Sequence, residues 1–344
     1  MPRSPRAVAI LAGATAVTAV LVLAVVVPAQ PSDDEAPAVL GPPAPQATKR
    51  TAPLTLPVGR YVALGDSFTA GPLIPYAEAT PARCLRSSAN YPAVLGRWLA
   101  ARRVIDASCS GADTRDLVEQ RSALTTGTDL VTVGMGGNDF DIFGTLASRC
   151  TAVAADDLLG SPCRAAFTSA AGRDEMVARA RRVARRLAAG LRGIARLAPN
   201  AVVAVVGYPR IVPAAGTCSA LPFARADYRW TDRVQRALNG ALRRAAAGSQ
   251  ALYVDTYTRS LRHDACAGTD AWVNGRTTLA ARALAFHPFA AGMRATAAAA
   301  LSSLTGAEPT AVMVRHAQRE SAVRPRGALT LREQRIVAAL FAGA

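Results

Sequence analysis

The chain has 344 residues, of which 51% are hydrophobic and 19% charged. This is the composition of a globular protein that buries a sizeable core, and it excludes a disordered chain while leaving open one large domain or two small ones. The formal net charge of +16 is almost wholly arginine, since Lys49 is the only lysine; the arginines are scattered through helical stretches without a recognisable nucleic-acid module. That excludes nucleic acid as a partner and leaves compositional bias of helix surfaces, or attraction to an anionic envelope or lipid surface, as the meaning of the charge.

The N-terminus carries Arg3 and Arg6, an apolar run from Ala7 to Val27, and small residues around Val27-Pro28-Ala29. Basic, apolar and small-residue segments in that order make residues 1–29 an export signal. About 20 apolar residues also suffice to span a bilayer. Two outcomes therefore fit: a cleaved signal peptide and a secreted protein, or an uncleaved anchor on the outer face of the cell membrane. Residues 30–57, rich in Pro and Ala with Asp33, Asp34 and Glu35, read as a linker. All six cysteines lie beyond it, and an even number in an exported chain predicts three disulfides. Pairing in sequence order, Cys84 with Cys109, Cys150 with Cys163 and Cys218 with Cys266, would close loops each local to one connection. Paired Cys-x-x-Cys or clustered His and Cys spacing is missing, so no metal is expected.

From Arg60 onward, short β-branched runs alternate with longer helical ones. Tyr61 to Leu64 is a strand, Pro92 to Arg102 a helix, Val104 to Ser108 a strand and Asp129 to Gly134 a Val-rich strand. Met176 to Leu197 is helical, Ala201 to Tyr208 an apolar strand stopped by Pro209, Arg225 to Ala247 helical and Leu252 to Asp255 a strand. Apolar strands separated by helices mean a parallel sheet covered on both faces, so residues 58–305 are expected to form an α/β fold, a three-layer α/β/α sandwich around a central parallel sheet. Asp139 to Arg173, with two cysteines and weak periodicity, reads as a disulfide-stapled insertion near the mouth of a site. Residues 306–344 find no place in this fold.

Ligands of such sheets bind at the carboxyl ends of the strands. There stand Gly65-Asp66-Ser67, Cys109-Ser110-Gly111 and Gly136-Gly137-Asn138-Asp139. Taken alone, Gly-Asp-Ser is most often a helix N-cap. Placed between an apolar strand and Phe68-Thr69-Ala70-Gly71, however, Ser67 has the position of a nucleophile whose own N–H can face an oxyanion. Such a serine needs a base, and the chain has three histidines. His316 lies in the tail and His263 in a loop near Cys266, whereas His287 stands between Phe286 and Pro288 at a helix start, from which it can point back over the strand ends. Gly111 can bring a bare N–H close, and Asn138 can offer a side-chain amide. Each residue alone has an ordinary turn-forming explanation, but all four together do not.

Ser67, Gly111, Asn138 and His287 resemble the Ser, Gly, Asn and His that name the SGNH, or GDSL, hydrolases. Their flanks, Ala63-Leu64-Gly65-Asp66-Ser67, Ser108-Cys109-Ser110-Gly111-Ala112, Gly134-Met135-Gly136-Gly137-Asn138-Asp139 and Phe286-His287-Pro288, resemble the four sequence blocks of that family in order. Cys84, Arg86-Ser87-Ser88 and Asn90-Tyr91-Pro92 narrow the resemblance to secreted actinomycete esterases and lipases similar to suberin esterases, a branch with three disulfides. It covers about Arg60 to Leu304. The resemblance implies a flavodoxin-like sandwich acting as a monomer on lipid or other acyl esters without a cofactor, through Ser67 and His287, with Ser67, Gly111 and Asn138 as the oxyanion hole. A carbohydrate acetyl esterase and a catalytically silent envelope-binding module are the alternatives. Many members carry Asp three residues before the His, but Leu284 stands there. No carboxylate can act from that position; the resembling branch includes enzymes that use a backbone carbonyl there, so the resemblance implies a Ser-His dyad with the Leu284 carbonyl accepting from the imidazole Nδ1–H, Asp264 as the acid and loss of activity being the alternatives.

Overall fold

The computed structural model describes residue 54 and residues 56–75, 82–320 and 330–341, so the export segment and most of the linker lie outside the described residues. In chain order the elements are β1 (Arg60–Gly65), α1 (Ser67–Ala70), α2 (Tyr91–Trp98), β2 (Arg103–Asp106), α3 (Leu117–Gln120), β3 (Leu130–Gly134), α4 (Ile142–Val153) and α5 (Pro162–Ala166). They continue with α6 (Glu175–Leu197), β4 (Val202–Val206), α7 (Asp227–Ala247), β5 (Leu252–Val254), α8 (Thr256–Arg259), α9 (Ala290–Thr305), α10 (Ala311–Glu320) and α11 (Leu331–Phe341).

The five strands form one sheet in the order β2-β1-β3-β4-β5, and every adjacent pair is parallel. Period-two alternation divides their side chains between two cores. Val62, Leu64, Val131, Val133 and Val205 pack with the apolar stripes of α6 and α7, whereas Tyr61, Ala63, Leu130, Ala204, Val206 and Val254 pack with α2 and α9. Both faces are thus covered, which is why the strands read as continuous apolar runs. On α6, Met176, Ala180, Val183, Leu187, Leu191 and Ile194 recur at helical spacing and are buried, while Asp174 caps the helix by accepting from Val177 N–H at 3.0 Å. Each fully buried Val or Leu in these stripes contributes about 1.5–3 kcal/mol relative to exposure.

Most element boundaries lie within two residues of the sequence reading, and two larger differences stand out. Helix α2 ends at Trp98 rather than at residue 102, because Ala100 takes φ +48° and Ala101 N–H closes onto the Gly96 carbonyl. That C-terminal turn frees Arg102 and Arg103 to donate to Val58 and Gly59 as the chain enters β2. Beyond residue 305, α10 packs on the α2/α9 side. Its Ala317 is buried, Met313 contacts the core, and Glu320 pairs with Arg97 at 2.9 Å. The six cysteines pair in sequence order as Cys84–Cys109, Cys150–Cys163 and Cys218–Cys266. Among the described residues, no helix is long and apolar enough to cross a membrane, and no group of His, Cys, Asp and Glu could hold a metal ion.

Candidate active site

The chain leaves β1 toward α2 on one face of the sheet and leaves β3 toward α6 on the other, so a crevice opens between the carboxyl ends of these adjacent strands. Ser67 follows β1 and Asn138 follows β3 at that crevice. The β1 turn is held from both sides. Gln120 accepts from Gly65 N–H at 2.8 Å and donates to its carbonyl at 2.9 Å, and Asp66 accepts from Phe68 N–H at 2.8 Å. Glycine is required at 65, since a Cβ there would lie 2.1 Å from Thr69 Oγ1 and 2.6 Å from the Gly134 carbonyl.

His287 reaches this turn from the segment just ahead of α9. Its Nε2 lies 2.7 Å from Ser67 Oγ, and its Nδ1 lies 2.6 Å from the Ala285 carbonyl. A carbonyl can only accept, so Nδ1 carries the proton and Nε2 is left to receive one from Ser67. This corrects the expectation for Leu284: its carbonyl takes the His287 backbone N–H at 3.2 Å and the Asn274 amide at 3.1 Å, and it is the Ala285 carbonyl that meets the imidazole. The segment adopts this shape because Phe286 is held at φ +59°, a left-handed conformation costly for an aromatic residue. Buried Asn274 over-determines it, donating to the carbonyls of Thr277, Ala283 and Leu284 while its N–H binds the His287 carbonyl.

Burial pushes the His287 imidazole down from 6.5 to about 4, partly offset by the Ala285 carbonyl, so the ring is neutral at pH 7. The other candidates are engaged elsewhere. His263 stacks on Trp272 at 4.0 Å, His316 faces Glu320 on α10, and Asp264 accepts from Cys266 N–H at 3.0 Å.

Ser67, Gly111 and Asn138 line the same cavity as the imidazole. Gly111 has φ +85°, a conformation suited to glycine, and its turn is fixed by the Cys84–Cys109 bridge. Asn138 donates one amide hydrogen to the Ala112 carbonyl at 2.9 Å, which ties the β3 turn to the β2 turn and leaves its second hydrogen for a ligand. Asp139 reinforces the tie by accepting from the N–H and hydroxyl of Thr114 and from Arg186. Among the described residues, no hydrogen bond engages the N–H of Ser67 or of Gly111.

Tyr208, two residues past the end of β4, is a connection that sequence reasoning missed. Its hydroxyl donates to Asp66 and accepts from Gly137 N–H at 2.7 Å, joining the turn that bears Ser67 to the turn that bears Asn138. Burial raises the Asp66 carboxyl to about 7, against the lowering effect of the Tyr208 bond. The available signal was positional: Tyr208 follows an apolar strand, as Ser67, Gly111 and Asn138 do.

Ser67, Gly111, Asn138 and His287 all line one cavity of about 800 Å³, including its open mouth. Its remaining walls are largely apolar, with Phe143, Leu146, Ile211, Val212, Phe223 and Phe286 prominent. Thr231 and Gln235 also reach it, but their polar atoms are occupied by the Asp227 carbonyl and by the backbone of Pro209 and Ile211. An apolar lining of this kind suits an apolar ligand group.

A model of the GDSL-like lipase/acylhydrolase family matches residues 63–295. A protein called Lipase 2 from Streptomyces coelicolor is 39% identical over 233 residues, covering 64% of this chain and 77% of the relative. Among solved structures, phospholipase A1 from Streptomyces albidoflavus superposes with a TM-score of 0.58 at 26% identity, covering 72% of this chain and 99% of that one. The extracellular lipase from Streptomyces rimosus gives 0.58 at 27%, covering 71% and 99%.

Proposed function

Since the chain belongs to the GDSL-like lipase/acylhydrolase family and is a carboxylic ester hydrolase, we propose that it is a secreted serine esterase of lipid-like acyl esters, working through a Ser67–His287 dyad and an acyl-enzyme. The observation that carries this reading is the convergence of Ser67 Oγ, a neutral His287 Nε2 at 2.7 Å and three donors on one apolar cavity. His287 takes the Ser67 proton as Oγ attacks the ester carbonyl, and the N–H groups of Ser67 and Gly111 and the Asn138 amide receive the oxyanion. The imidazolium then protonates the departing alcohol, and a water activated by His287 releases the acid. The Ala285 carbonyl holds the ring tautomer in place of a carboxylate. Export is supported by the N-terminal segment, by three disulfides and by the resemblance to an extracellular lipase.

The test is hydrolysis of p-nitrophenyl esters of graded acyl length by the wild type, Ser67→Ala and His287→Ala. Activity in the wild type and its loss by at least about 10⁴-fold in both variants is expected. A folded but inactive wild type would overturn the reading.

A further inference from the structure

The insertion between α4 and α5 ends in a feature that the proposed chemistry does not use. Leu158 and Leu159 stand side by side at its tip with 67% and 73% of their surfaces exposed. The tip is closed at its base by Cys150–Cys163. Its backbone is pinned where the leucines sit: Arg225 N–H donates to the Leu158 carbonyl at 2.9 Å, Ala226 N–H to Gly160 at 3.0 Å, and Gly160 N–H to Asp157 at 2.9 Å. Two leucines on a backbone fixed this way are presented outward and are not free to fold onto the core.

The position of the tip relates it to the cavity. Helix α4, which leads into it, carries the wall residues Phe143, Leu146 and Ala147; the segment that pins it carries Phe223 just before Arg225. The tip thus follows, in the chain, a helix that forms one wall of the cavity and is hydrogen-bonded to the segment that carries another. We propose that Leu158 and Leu159 are an interfacial anchor, inserting into the surface of aggregated lipid so that an acyl chain leaving that surface enters the adjoining cavity. This rests on the lipid-ester reading above. Exposed Arg149, Arg164 and Arg225 lie on the flanking segments, but Asp156 and Asp157 adjoin the leucines themselves. Apolar insertion, rather than charge, is therefore the source of binding, and a zwitterionic lipid surface is the partner that fits.

The experiment uses the chain from residue 31, which contains the whole compact unit 49–344 and lacks the apolar N-terminal run. Co-sedimentation with phosphatidylcholine vesicles is measured for Ser67→Ala and for Ser67→Ala carrying Leu158→Ser and Leu159→Ser. Vesicle affinity at least about 10-fold weaker in the triple variant, and little changed by salt in the parent, is expected. In the active background, Leu158→Ser with Leu159→Ser should leave hydrolysis of monomeric p-nitrophenyl butyrate unchanged and slow hydrolysis of an emulsified long-chain ester. Equal vesicle binding with and without the leucines would overturn the anchor. So would a dimer that the substitutions dissociate while vesicle binding stays the same. Failure of the wild type on the monomeric ester would instead count against the esterase reading, which the vesicle comparison does not depend on.

Discussion

Replacing Tyr208 by phenylalanine removes one hydroxyl from between the two turns that form the site. In the wild type that oxygen donates to Asp66 and accepts from Gly137 N–H at 2.7 Å, and all three residues are buried. Without it, Gly137 N–H has no acceptor, at a cost of about 1–3 kcal/mol. Asp66 loses a donor too, but its carboxyl already stands at about 7 and would rise further, so it becomes neutral at pH 7 and limits the second penalty. The sum is about 2–3 kcal/mol, or roughly a 5–10 °C fall in melting temperature for a domain of this size. Catalysis is touched through Asn138, which follows Gly137 directly. An oxyanion donor is worth about 2.7–4 kcal/mol in the transition state, and a loosened donor forfeits part of that, so kcat on p-nitrophenyl butyrate should fall about 10-fold with KM nearly unchanged. Thermal melts and steady-state kinetics of Tyr208→Phe read both effects. A melting temperature and kcat equal to the wild type would refute the claim that this hydroxyl couples the turns.

The depressed His287 value makes kcat/KM flat down to about pH 4, because the base stays neutral well below 6.5; an acid limb near 6.5 in a pH–rate profile would contradict the buried environment. The same lowering has a stability consequence: the contribution of neutral His287 is fully present above pH 6.5 and is lost as pH falls through about 4, so His287→Gln should flatten acid unfolding in that window. Asn138→Ala should lower kcat by about 10²–10³-fold with little change in KM, as measured on a soluble ester. Replacing Cys218 and Cys266 together by serine opens a 48-residue separation and should cost about 4 kcal/mol, read from denaturant midpoints. Ala147→Phe fills the cavity wall and should reduce turnover of long-chain esters while sparing the acetyl ester.

Much of this molecule is legible in its sequence because the signals are local. Strands β3 and β4 appear as Val-rich runs since both faces of the sheet are covered, and Ser67, Gly111 and Asn138 stand out because each follows a strand. The carbonyl that faces His287 Nδ1 is different. Whether it belongs to Leu284 or Ala285 depends on the left-handed turn at Phe286, which Asn274 fixes from 12 residues upstream, and no propensity at residues 284–287 encodes that turn. Tyr208 escaped because it reads as the last residue of an apolar strand, while its role depends on Asp66, 142 positions away. The packing of α10 was hidden for a related reason: Ala317 and Met313 make a narrow apolar edge that has meaning only once α9 is beneath it.

The central claim is that Ser67 is a nucleophile activated by His287. A fluorophosphonate probe, which forms a covalent bond only with an activated serine, tests it directly when the labelled protein is digested and mapped by mass spectrometry. The account predicts one label per chain, on the peptide bearing Ser67, absent in Ser67→Ala and slowed by orders of magnitude in His287→Ala. Labelling that persists in Ser67→Ala, or that is indifferent to His287, would contradict it.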